Sequence, residues 1–113
     1  TQALAILMGK TTNDFTSAAE KTEFAYRLGR IYDLMKDDEN AIRYYKSAIE
    51  KGENLPEYFA ARAALQTGLI YEHKGSYAKA IEYFNNCIAM KSHAFKNSLD
   101  QKAKAGIQRC IKQ

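Results

Sequence analysis

Few residues of this chain are of types that do chemistry, and they are scattered. Two histidines, His73 and His93, and two cysteines, Cys87 and Cys110, are the candidates for proton transfer or nucleophilic attack near neutral pH. Neither histidine is close in sequence to a candidate nucleophile, and a helix-end or loop position is the plain reading of both. The cysteines form no Cys-x-x-Cys pair and no Cys/His cluster, so neither a disulfide framework nor a zinc site follows from their spacing. They read as reduced core residues, which favours a reducing compartment such as the cytoplasm. Asp37-Asp38-Glu39 concentrates carboxylates but lacks the glycine turn and distal Glu of a calcium loop. These acids read instead as the start of a helix, where they complement its positive end. There is no glycine-rich phosphate loop and no Gly-x-Ser-x-Gly turn. Catalysis, a cofactor and a bound metal are therefore not expected.

The remaining chemistry is charge. The 113 residues carry 17 basic and 13 acidic side chains, a net +4. Residues 1–90 are nearly balanced, and the surplus lies in Lys91, Lys96, Lys102, Lys104, Arg109 and Lys112, close to His93 and Phe95. Such a patch can contact phosphates. It lacks interleaved aromatics and any known nucleic-acid reading motif, so a nucleic-acid contact through the C-terminal helix is disfavoured against ordinary solvated lysines. The longest apolar run, Ala3–Met8, is far short of the roughly 20 residues of a membrane span, so no membrane insertion is expected. The start of the chain has no signal-peptide order, and its lack of an initiator Met suggests processing or a longer parent chain.

The elements that hold these residues come from a repeat. An offset of 39 places Ala25 on Ala64, Gly29 on Gly68, Ile31 on Ile70, Tyr32 on Tyr71, Ala41 on Ala80, Ile42 on Ile81, Tyr44 on Tyr83 and Ile49 on Ile88. Within each unit, apolar residues recur every three or four positions, as on two helices, with no alternating strand pattern. Ser17-Ala18-Ala19-Glu20 has the form of a capping box opening the first helix, with Ala25, Leu28, Gly29 and Tyr32 inward. Lys36-Asp37-Asp38 turns into a second helix of about Asp38 to Lys51. Gly52 to Pro56 breaks the chain, with Pro56 suited to a first helical position. The second unit runs from Pro56 to Lys74, turns at Gly75-Ser76, and returns along Tyr77 to Met90. A mid-helix glycine costs about 1 kcal/mol relative to alanine. Gly29 and Gly68, at one register of both units, predict a close approach by the Tyr45 or Phe84 ring. A last helix, about 97–112, has Leu99, Ala103, Gly106, Ile107 and Cys110 in one stripe and Lys102, Lys104, Gln101, Gln108 and Lys112 opposite.

The two units resemble tetratricopeptide repeats. Leu28-Gly29, Tyr32, Ala41, Tyr45 and Ala48 follow that family's order in the first, and Gly68, Tyr71, Ala80, Phe84 and Cys87 in the second. Departures are Ala25 and Ala64 in place of Trp, Thr67 in place of Leu, and about five additional residues around Glu53–Tyr58. Those additions predict a first helix of the second unit that is one turn longer than usual. The resemblance implies an all-α fold, a right-handed stack of antiparallel helical hairpins. It forms one domain over 1–113, with repeats at about 17–52 and 56–91 and the 97–112 helix as cap or degenerate third repeat.

It also implies a non-catalytic protein-protein interaction or scaffold module that binds a peptide or partner helix in a concave groove. Carried over position by position, the groove residues are Glu23, Tyr26, Arg30 and Asp33 from the first unit, and Arg62, Leu65, Gln66, Leu69 and Glu72 from the second. The alternative is a structural C-terminal end of a larger repeat protein; self-association through the terminal helices also stays open. The family's clamp for terminal carboxylates would fall on Tyr26, Arg30, Gln66, Asp100 and Lys104, which are mostly the wrong types, and no such clamp is expected. Tyr26 is the expected groove anchor, so its replacement should disturb stability less than that of Tyr32.

Overall fold

A computed structural model describes residues 17–55, 58–90 and 96–113. Ala3–Met8, Pro56, Lys91, His93 and Phe95, singled out above, lie outside the described residues. Helix α1 (Ala18–Leu34) begins at the expected capping box: Ser17 Oγ accepts from the Glu20 amide at 3.1 Å and donates to Glu20 Oε1 at 3.1 Å. Helix α2 (Asp38–Gly52) is capped by Asp37, whose carboxylate accepts from the Asn40 amide at 3.3 Å and from Asn40 Nδ2 at 2.8 Å. The carboxylates at this turn thus serve a helix N-terminus. Helices α3 (Phe59–His73), α4 (Tyr77–Ala89) and α5 (Lys96–Ile111) follow.

Both hairpin turns end their first helix in the same way. The Asp37 amide donates to Tyr32 O at 2.9 Å and the Lys36 amide to Asp33 O at 3.0 Å; thirty-nine residues on, Ser76 donates to Tyr71 O at 2.8 Å and Gly75 to Glu72 O at 3.0 Å. This paired pattern needs a left-handed residue, which is Lys36 (φ +62°) in the first unit and Gly75 (φ +80°) in the second. Each helix packs on the next, and α3 touches α1 and α5 as well, so the described residues form sequential antiparallel helix pairs without strands.

The aromatic rings explain the repeated glycines. A Cβ on Gly29 would stand 2.5 Å from Tyr45 Cδ1, and one on Gly68 would stand 2.6 Å from Phe84 Cδ1. Gly106 of α5 faces the same Phe84 ring from another helix, and a Cβ there would stand 2.5 Å from Cε2. Tyr45 and Phe84 are wholly buried. Each ring fills the space a side chain would otherwise take, and burial of rings this size supplies much of a small core. Ala60, Ala61, Ala63 and Ala64 give α3 a buried face of small side chains that lets its neighbours come close. Thr67, in place of the family's Leu, is buried with its hydroxyl donating to Ala63 O at 2.8 Å. This back-bond removes the cost of burying a hydroxyl.

The expected extra helical turn in the second unit is not present in α3, which starts at Phe59. Glu53–Leu55 form a turn, with the Leu55 amide donating to Gly52 O at 3.0 Å. At Gly52 itself a Cβ would meet Thr22 Cγ2 at 2.5 Å and Ala60 Cβ at 3.2 Å. Gly52 thus has no room for a side chain at the α1–α2–α3 junction, and α2 ends there.

In α5, Leu99, Ala103, Gly106 and Cys110 are buried, Ile107 is half-buried, and Gln101, Lys102, Lys104, Gln108 and Lys112 are exposed, as the stripe predicts. Lys96 fastens the start of this helix to the end of α4. Its Nζ donates to Ile88 O at 3.0 Å, Met90 O at 2.8 Å and Asp100 Oδ2 at 2.8 Å. A cation there satisfies carbonyls that the end of α4 leaves without helical partners.

Candidate functional site

Helices α1 and α3, first in their hairpins, lie side by side, and a cleft of about 550 Å³ opens between their C-terminal halves. Asp33 lines it from α1, and Gln66, Leu69, Ile70 and His73 from α3. Lys36 and Asp38 close its end from the hairpin turn. Three of the residues expected in the groove, Asp33, Gln66 and Leu69, are thus brought together. Lys36, Asp38 and His73 are additions that a projection of helical faces misses, because they stand at helix ends where the 100° spacing no longer assigns a side.

Three carboxylates of this face, Glu23, Asp33 and Glu72, are each held by a neighbour. Glu23 pairs with Arg27 at 2.7 Å. Asp33 accepts from the Tyr45 hydroxyl at 2.9 Å and stands 3.8 Å from Arg30. Burial, then the Asp33 charge, push the Tyr45 hydroxyl pKa well up, so it keeps its proton for this bond. The second unit solves the same problem differently. Phe84 has no hydroxyl to offer, and Glu72, in the register of Asp33, instead takes a bidentate pair from Arg109 of α5 at 2.7 and 2.9 Å. The hydrogen bond from Arg109 holds the Glu72 pKa below its ordinary value.

Two expected groove residues are not accessible. Leu65 is 2% exposed, inside the core. Tyr26 is 8% exposed: its ring centroid lies 5.9 Å from that of Tyr45 and 5.7 Å from that of Phe59. The cause is the segment between the units, which puts the Tyr58 and Phe59 rings, 4.7 Å apart, at the start of α3 and against α1. Burial raises the Tyr26 hydroxyl pKa, against the opposing charges of Arg62 and Arg30 nearby. Arg62 itself stands 5.3 Å from the centre of the Tyr58 ring.

The residues considered for chemistry are otherwise engaged. Burial, and then the Asp100 charge, push the Cys87 thiol up to about 12, and its Sγ lies 3.9 Å from Leu99 O. Burial raises the Cys110 thiol too. Such thiols carry almost no thiolate at neutral pH. His73 is an exposed helix-end residue. Among the described residues no three His, Cys, Asp or Glu side chains are grouped as metal ligands, and no helix is long and apolar enough to cross a membrane. Of the clamp positions, Asp100 is tied to Lys96 at the start of α5, away from the cleft lining. Within the basic cluster, Lys96 and Arg109 are spent on internal contacts, leaving Lys102, Lys104 and Lys112 as its exposed described lysines.

A family model for the tetratricopeptide repeat matches residues 21–93. Comparison with curated proteins and with solved structures finds no match. The chain belongs to the tetratricopeptide repeat family, whose members are in general protein-protein interaction scaffolds and typically without catalysis.

Proposed function

We propose that this repeat module binds a peptide or partner helix along the face formed by α1 and α3, through Arg30, Asp33, Arg62, Gln66 and Leu69, with Glu23 and Glu72 at its margins. The observation that carries this reading is the cleft between the two helices, in which an aliphatic side chain, an amide and a carboxylate converge. A partner segment needs this mixture: apolar area to bury, and polar groups that fix its register. Tyr26 and Leu65 support the face from beneath.

The test is a comparison of proteins retained by the wild-type chain and by an Arg30→Ala, Gln66→Ala, Leu69→Ala variant with unchanged helical circular dichroism. A groove binder loses its specific partners in the variant. Equal retention by both would instead place the contact elsewhere on the stack.

A further inference from the structure

The ion pairs among the groove positions of α1 and α3 leave Arg62 over. Glu23 is matched by Arg27, Asp33 by Arg30 and the Tyr45 hydroxyl, and Glu72 by Arg109. Arg62, between them on α3, has no carboxylate within ion-pairing distance among the described residues. Its neighbours are the Tyr58 ring, over which it lies at 5.3 Å, and the Tyr26 hydroxyl. Tyr58 and Phe59, at the start of α3, continue into the Tyr26 ring of α1, the three following one another within 5.7 Å between centroids.

We infer that Arg62 and the adjoining Tyr58–Phe59 rings form a subsite for an acidic side chain of the partner, an Asp or Glu flanked by an aromatic or aliphatic residue. This rests on the groove reading above and names the chemistry of its ligand. The guanidinium is planar, keeps donors beyond those facing the Tyr58 ring and the Tyr26 hydroxyl, and fits one carboxylate with two parallel hydrogen bonds. A ring already stacked on one face limits its side-chain freedom, so less ordering is required when a carboxylate arrives. The flanking residue lies against half-buried ring surface rather than water. A single guanidinium matches a single carboxylate, whereas a doubly charged phosphate or a chain of phosphates calls for several cations, and the neighbouring arginines are already paired.

The test presents the full chain to a random-peptide display library and then titrates the selected peptides, synthesised with acetylated and amidated ends, against wild-type and Arg62→Gln protein. Selected peptides carry an Asp or Glu beside an apolar residue. Changing that acid to its amide weakens binding by roughly ten- to thirtyfold, the range of one charge-assisted hydrogen-bonding pair. Arg62→Gln weakens the acidic peptide equally and adds no further loss for the amide version. Should Arg62→Gln fail to fold, the peptide-side change alone decides. Neutral or basic peptides, acidic peptides indifferent to Arg62→Gln, or binding that needs a free C-terminal carboxylate would overturn the subsite. If those peptides still fail on Gln66→Ala and Leu69→Ala, the groove reading survives without it. Peptides that bind every variant alike, an empty selection, or displacement of the peptides by a single-stranded oligonucleotide would overturn both.

Discussion

Phe84 lies between two glycines on different helices, and its ring cannot move away from one without entering the other. Gly106→Ala adds a methyl 2.5 Å from the ring, and Gly68→Ala adds one at 2.6 Å. Each change gains helix propensity but overpacks a rigid side chain, a net loss of about 2 kcal/mol or more in urea unfolding. Phe84→Leu provides space, so the loss in Gly106→Ala/Phe84→Leu falls short of the sum of the single losses by about 1 kcal/mol. Strict additivity would mean that the ring is not what Gly106 accommodates. Tyr26 and Tyr32 trade places relative to the expectation from sequence. Tyr26 is 8% exposed between Tyr45 and Phe59, whereas Tyr32 is half-buried and stacked on Tyr44 at 5.5 Å. Tyr26→Ala therefore costs about 3 kcal/mol in thermal or urea melts and Tyr32→Ala about half of that. The reverse order would restore Tyr26 to the role of an exposed anchor.

The two hairpins share their turn geometry but not its residue. Lys36 adopts φ +62° where the second unit uses Gly75 at +80°, and a side chain in that region costs about 1 kcal/mol. Lys36→Gly raises stability by about 0.5 kcal/mol, the unfolded chain's added freedom offsetting part of the relief; Gly75→Ala lowers it by about 1 kcal/mol. Helix boundaries here were legible in the sequence because local chemistry sets them: Ser17 and Asp37 cap, Gly75 turns, and the 39-residue offset fixes the register of Tyr45 and Phe84. The Gly29 and Gly68 contacts were legible for the same reason. What was not legible depends on three dimensions. The residues between the units read as a longer helix, because nothing local reveals that Gly52 sits where Thr22 and Ala60 leave no room for a side chain. The burial of Tyr26 follows from rings carried in from the next helix. Leu65 sits on an outward register by resemblance to the family, yet it lies in the core at 2% exposure.

At the scale of the molecule, Arg109 connects the last helix to Glu72 on α3. Glu72 has a lowered pKa in the folded chain because Arg109 donates to it, so the unfolded state takes up the proton first as the pH falls. The contribution is complete above the ordinary Glu value of 4.5 and is lost as the pH drops through the lowered folded value. Arg109→Gln removes this segment of the pH–stability curve. The effect stays below about 1 kcal/mol because the Arg109 side chain is 48% exposed. An unchanged curve would mean that the pair does not persist in solution. The same helix supplies Gly106 to the Phe84 ring and Lys96 to the carbonyls of α4. Chain ends ordinarily fray first and exchange their amide protons fastest. To open here, α5 must uncover a ring that α3 also holds and release a cation from the end of α4. Amides around Gly106 therefore exchange on the slow timescale of α4, and the last helix behaves, in its fluctuations, as an interior part of the stack.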